Sequence, residues 1–217
     1  MVLNQKYQTQ PTAIASYDYT DIAEGTGTVV YYGFQDEDSV GVSYNLSNQL
    51  FYSSAIETTV DITQYSNFSA STDYDFDLTG FNTPKRIKGT ARIQQGIALG
   101  GRADEHAWMY LTYNIIHYDG TTETIIGTNT SETFEATSAA VTPNIVNLPI
   151  TLTETSFKKG DILRVEEKIF ISGAGFTNVG EAYIAHDPQN RDGTAVIPST
   201  DDVISRFEVH VPYNLDL

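Results

Sequence analysis

Short runs in which apolar and polar residues alternate one by one limit this chain to β-sheet more firmly than any other feature. The clearest run is Val203-Ile204-Ser205-Arg206-Phe207-Glu208-Val209-His210-Val211. Val203, Phe207, Val209 and Val211 fall on one face. Arg206, Glu208 and His210 fall on the other, with Ile204 the one apolar exception. A period of two with one wet face marks an antiparallel strand packed on a core.

Similar runs fill the chain. Thr28–Phe34, Val40–Tyr44 and Leu50–Ile62 follow one another, with an acidic turn at Asp36-Glu37-Asp38. Tyr74, Phe76 and Leu78 alternate with Asp73, Asp75 and Asp77. Ile87, Gly89, Ala91 and Ile93 alternate with Arg86, Lys88, Thr90 and Arg92, and a Gly-rich loop is expected from Gly96 to Asp104. His106–Tyr118 is apolar on both faces, so a loop or a partner subunit is expected over its outer side. Asp119-Gly120 is a hairpin turn signal. Pro149, inside the run Val146–Leu152, implies an edge strand because proline cannot donate to a ladder. Within Ile162–Ile171, Glu167 falls on the apolar face, and a β-bulge that re-registers the strand is the expected reason. Val179–Ala185 is a further strand, and a long loop spans 187–202.

Roughly ten strands at these turn spacings predict an all-β fold: a single antiparallel β-sandwich, jelly-roll-like, over residues 13–217. Residues 1–12 are polar and rich in Gln and Thr, and read as an extended arm. Such an arm is either a loose terminus or a segment that reaches a neighbouring subunit. A length of 217 residues suits one such domain. With 40% hydrophobic and 18% charged residues the chain is globular rather than disordered.

Composition also removes several functions. There is no Cys, which excludes disulfides, thiol catalysis and cysteine-bound zinc. A net charge of −16 repels nucleic acid and anionic lipid, so neither is an expected partner. No apolar stretch approaches the about 18 residues that cross a bilayer. Met1–Tyr7 lacks the basic-then-apolar pattern of a secretion signal, so a soluble protein made in the cytoplasm is expected.

The candidate sites are few. Asp73, Asp75 and Asp77 share one strand face at about 7 Å spacing. They read as a solvated face, as a Ca²⁺ site, or as partners of the basic Arg86/Lys88/Arg92 face if the two strands are neighbours. His186, Asp187, Asn190 and Arg191 form the densest polar cluster. It reads as a ligand loop or as a structural turn, with Asp187 accepting backbone N–H bonds and pairing with Arg191. Trp108, Tyr110 and Ile116, on the outer face of their strand, are candidate interface residues, as are Arg86, Lys88 and Arg92. His106, His117, His186 and His210 are scattered without metal spacing. No nucleophile elbow, phosphate loop or zinc-protease helix motif is present, so no enzyme and no cofactor is expected. Exposed Tyr and Trp also suit stacking on sugars.

Two stretches together resemble β-sandwich virion proteins of tailed phages and environmental viruses. One is Phe157-Lys158-Lys159-Gly160-Asp161-Ile162-Leu163-Arg164-Val165. The other is Ala185-His186-Asp187-Pro188-Gln189-Asn190-Arg191, followed by Phe207 to Leu217 with its Pro212-Tyr213-Asn214-Leu215-Asp216-Leu217 ending. The resemblance covers the last sixty or so residues and carries no catalytic residue. It implies a capsid decoration or minor capsid protein, located in the virion, that binds capsid subunits and copies of itself. The alternative is a non-catalytic carbohydrate-binding module, such as a receptor-binding spike domain.

Overall fold

A computed structural model of the chain describes residues 26–62, 68–100, 106–137, 141–174, 180–191 and 205–214. The expected arm at 1–12, with Val203, Ile204 and most of the 187–202 loop, lies outside the described residues.

The alternating runs become twelve strands and, among the described residues, no helix. They are β1 (Thr26–Glu37), β2 (Val42–Ser47), β3 (Glu57–Ile62), β4 (Ser69–Leu78), β5 (Lys85–Gly100) and β6 (His106–Tyr118). The second half adds β7 (Glu123–Thr130), β8 (Phe134–Ala136), β9 (Thr142–Phe157), β10 (Ile162–Ala174), β11 (Gly180–Ala185) and β12 (Phe207–Asn214). Three sequence expectations give way. The stretch Leu50–Ile56 is a loop and only Glu57–Ile62 is a strand. The acidic turn falls later, because β1 runs through Glu37 and Asp38 Oδ1 caps the turn by accepting N–H bonds from Val40 and Gly41. Gly96–Gly100 is not a loop but the end of β5, held by β9 on one edge and β11 on the other.

Hydrogen-bonded neighbours run β3-β11-β5-β12-β1-β2-β4-β10-β6-β7, with β9 on the free edge of β5 and β8 on β6 beyond β7. Every pair is antiparallel except β2 with β4, which is parallel and makes the sheet mixed. Parallel pairing needs a crossover, and the chain between β2 and β4 supplies it by way of β3. β9, with Pro149 in it, bonds only β5. Its other side faces β7, where Asn129 Nδ2 donates to Pro149 O at 2.7 Å. β9, the branch off β5, and β7, one end of the path, therefore meet, and the sheet between them wraps one core. Ile87, Ile93, Val209 and Val211 from β5 and β12 pack with Leu111, Ile115, Val165 and Ile169 from β6 and β10.

The wrap is tight at its centre, where Phe76 and Phe207 meet edge to face at 4.7 Å. Gly33 gives them room. A Cβ there would sit 2.3 Å from Phe207 Cδ1 and 3.1 Å from Phe76 Cδ1. Both rings are fully buried and cannot swing out. Gly33→Ala is expected to cost about 1–3 kcal/mol by overpacking, read as a lower urea midpoint at unchanged slope.

Candidate functional site

The alternation of β10 carries Leu163, Val165, Glu167, Ile169 and Ile171 to the core, and all five are fully buried. No bulge turns Glu167 away. Its register against Tyr113 of β6 is unbroken, and the shift on the β4 side comes later, between Ile169 and Phe170. The carboxyl is part of a buried chain of polar groups. Gln95 Nε2 donates to Glu167 Oε2 at 3.3 Å and to Ala185 O at 3.0 Å, while Tyr113 Oη donates to Gln95 Oε1 at 2.5 Å. Glu167 Oε1 has no hydrogen-bond partner among the described residues. Burial pushes the Glu167 pKa up to about 8, opposed in part by the Gln95 bond. At neutral pH it is a neutral acid. Burial, and then the Glu167 carboxyl, also push the Tyr113 phenol well above its usual range.

A second buried cluster lies where β11 ends. His186 donates its backbone N–H to Ile56 O. Its ring lies 2.7 Å from Thr58 Oγ1 through Nε2, 3.5 Å from Ser53 Oγ through Nδ1, and edge-on to Tyr44. Burial lowers its pKa to about 4, so it stays neutral near pH 7. Ser53, His186 and Asp187 have the residue types of a hydrolytic triad but not its geometry. The Asp187 carboxylate accepts the Arg191 N–H at 2.5 Å and its Nε at 3.1 Å, and it does not face the imidazole. Ser53 Oγ accepts from Gln35 N and donates to Gln35 O. All three residues are at most 1% exposed. Arg191 Nη2 then donates to Ser53 O at 2.7 Å, and Asn190 Oδ1 accepts from Ser205 N. The His186–Arg191 segment thus clamps the loop after β2 to the end of β11. Sequence reading missed Ser53, because nothing local marks a serine whose partners lie 18 and 133 residues away.

The outer face of β4, β10, β6 and β7 carries the expected Asp row. β10 is the neighbour of β4, so Asp77 stands opposite Arg164 and Asp73 opposite Lys168. Arg164 takes Asp77 in a two-pronged bond (Nε–Oδ1 2.6 Å, Nη2–Oδ2 2.8 Å) and reaches Asp75 at 3.1 Å and Glu123 at 2.5 Å. Its pKa rises, above all through the Asp77 bond. Asp75 and Asp77 of the row therefore hold a guanidinium, while Asp73 stands opposite Lys168. Among the described residues no group of three His, Asp or Glu is placed to hold a metal ion. The expected pairing with the basic strand does not form either, since β5 and β4 are not neighbours. Arg86 and Lys88 meet Glu154 of β9, and Arg92 donates to Asn147 at 3.4 Å.

Farther along this face lies an aromatic strip. Tyr110 stacks on Phe170 at 4.7 Å with planes 10° apart, Phe68 leans on Tyr110 at 4.9 Å, and His106 stacks on Trp108 at 5.6 Å. Trp108, Tyr110 and Phe170 are half-buried and Phe68 is exposed. Ile116 does not join them as expected. It is only 3% exposed, because Arg164 and Ile125 flank it in register on the same face.

No family model and no curated protein sequence matches the chain. Among solved structures it is similar to an α-amino acid ester hydrolase, with a TM-score of 0.56 at 9% identity over 86% of this chain. The chain spans 36% of that hydrolase's length, and at this identity the likeness is one of fold. A CocE/NonD family hydrolase from Staphylococcus aureus is similar at a TM-score of 0.47 and 12% identity, covering 87% of this chain and 37% of that one. Infectious bursal disease virus, Gt strain, follows at 0.34 and 10% identity, over 95% of this chain and 40% of that one. Scores this low say nothing about what the chain does.

Proposed function

We propose that this chain is a non-catalytic virion protein, a capsid decoration or minor capsid component that binds capsid subunits and copies of itself. The observation that carries this reading is the outer aromatic strip of Trp108, Tyr110, Phe170 and Phe68. Aromatics exposed on the outer face of a sheet are the side chains that dominate protein interfaces. The resemblance of the C-terminal stretches to virion proteins adds to it. The acidic surface suits an outward-facing particle component that avoids nucleic acid. A non-catalytic role is supported by where the strongly shifted acid–base groups lie. Glu167 and His186 are both enclosed in the core, away from any substrate.

The test is mass spectrometry across a density gradient of particles from the source culture. Peptides of this chain are expected to co-migrate with the major capsid protein at a fixed ratio. A Trp108→Ser/Tyr110→Ser double variant added to stripped particles is expected to rebind at least about tenfold more weakly, the loss of one interface hot spot. Peptides confined to the soluble fractions would sink the reading. The second reading, a carbohydrate-binding module, is favoured by a different surface.

A further inference from the structure

Five of the seven large apolar side chains that stand exposed among the described residues fall between Val40 and Tyr52. Exposed apolar residues scattered singly need no explanation, but a cluster in one place does. Two of them, Phe51 and Tyr52, line a cleft of about 350 Å³ beside β1 and β2. We infer that this cleft binds a neutral carbohydrate. The inference goes beyond the assembly reading and does not depend on it.

The β1–β2 register puts Phe34 opposite Asn45 and Asp36 opposite Ser43, so these four share one face. The loop after β2 lays Phe51 against Phe34 at 5.4 Å, tilted by 36°. Tyr52 follows and is 70% exposed. The Arg191 guanidinium lies 3.9 Å from the Tyr52 ring centre and covers one of its faces, so that exposure belongs to the other face. A pyranose ring offers an apolar C–H face and a rim of hydroxyls. Aromatic faces suit the first. The rim finds Asp36, Asn45 and Ser47, all in the cleft wall. The Asp36 carboxylate has no hydrogen-bond partner among the described residues and can accept from paired hydroxyls. Ser47 Oγ accepts from Gln49 N, which leaves its O–H to donate. A few placed polar groups among aromatic walls are the mark of a small-molecule site, and this volume is near the low end of the about 300–1,000 Å³ range, sized for a short glycan.

The site is also held in place before any ligand arrives. Tyr52 leans on Arg191, and Arg191 is fixed by the fully buried Asp187 and by Ser53 O. Ser53 is itself bonded to both the N–H and the C=O of Gln35, the residue between Phe34 and Asp36. A surface that only covered the core would not need its most exposed ring locked to a buried ion pair. Pre-ordering lowers the entropy lost on binding, which matters most for weak ligands such as sugars. Charge sets the class of sugar. Asp36 lines the cleft and the whole chain is acidic, so sialylated and sulfated glycans are repelled.

The test uses the whole chain on an array of neutral and sialylated glycans, followed by calorimetric titration of the strongest neutral oligosaccharide. Saturable binding of a neutral glycan is expected, with no sialylated glycan bound more tightly. Tyr52→Ala is expected to weaken it about tenfold, the value of one aromatic contact, and Asp36→Asn to weaken it as well. Ile125→Ala, an exposed apolar residue of β7 outside the cleft, is expected to leave the affinity unchanged. Tyr52 is exposed, so an unchanged melting temperature separates lost binding from lost folding. Absence of any neutral glycan signal, equal affinity in Tyr52→Ala, or preference for sialylated glycans would each overturn the inference. So would a surface that captures only apolar peptides. None of these outcomes bears on co-migration with particles, so the two readings fail separately.

Discussion

Between pH 6.5 and 8 the protein is expected to lose about 1 kcal/mol of stability, and the Glu167→Gln variant is expected not to. The folded pKa of Glu167, about 8, lies above its ordinary 4.5. Above pH 4.5 the folded chain therefore keeps a proton that the unfolded chain has released. That contribution is complete below 4.5 and disappears as pH rises through 8. His186 works the other way. Its folded pKa of about 4 lies below 6.5, so its contribution is complete above 6.5 and is lost as pH falls toward 4. From 4.5 to 6.5 the two slopes nearly cancel, and above 6.5 the Glu167 slope dominates as the His186 slope fades. The ionisable groups that face it are Tyr113 of β6 and Tyr74 of β4, both raised from 10 and neutral throughout this window. Glutamine keeps the shape of the protonated acid and cannot ionise. Urea unfolding of both proteins at pH 6.5 and 8 measures the effect. In thermal melts it corresponds to a fall of about 2–4 °C for the native chain. A native chain equally stable at both values would show that Glu167 is not held protonated.

Glu167 also shows how far the sequence could be read. Strand alternation placed its side chain on the core face. A bulge was the natural expectation, because an ionised carboxylate in a core is very costly. What removes that cost is protonation, driven by burial among strands distant in the chain, while Gln95, 72 residues away, satisfies one oxygen and opposes the shift only in part. Alternation reports which face a residue takes. It carries no information on which strand stands beside it. The Asp row failed to be read for the same reason. Asp73, Asp75 and Asp77 were visible as one face, but Arg164 is 87 residues from Asp77 and becomes its neighbour only through the β4–β10 pairing. Trp108 and Tyr110 were legible because surface exposure on a strand follows from parity alone, whereas Ile116 was misread because its cover comes from β7 and β10. The cleft at Tyr52 depends on a loop whose path is set by Arg191, 138 residues from its partner Ser53.

Arg164→Met is expected to destabilise the fold by about 2–3 kcal/mol, measured by urea unfolding at pH 7 and low salt. The guanidinium side chain is 16% exposed and is the common partner of Asp77, Asp75 and Glu123. Methionine keeps most of its apolar stem, so the loss is mainly electrostatic. Three carboxylates then face one another without a cation. The cost stays below that of a fully buried pair, because Asp75 and Glu123 keep about half of their side-chain surface in water. Two further readings separate this from a packing defect. Added salt screens the repulsion and restores stability to the variant, more than to the native chain. Falling pH does the same, since crowded carboxylates have folded pKa values above their unfolded ones, and their protonation stabilises the folded state. Millimolar Ca²⁺ is expected to raise the melting temperature of the variant and not of the native protein, because oxygen ligands left without Arg164 can take a hard cation in its place. A variant indifferent to salt, pH and Ca²⁺ would mean that Arg164 acts by packing alone, with the acidic row stable in water without it.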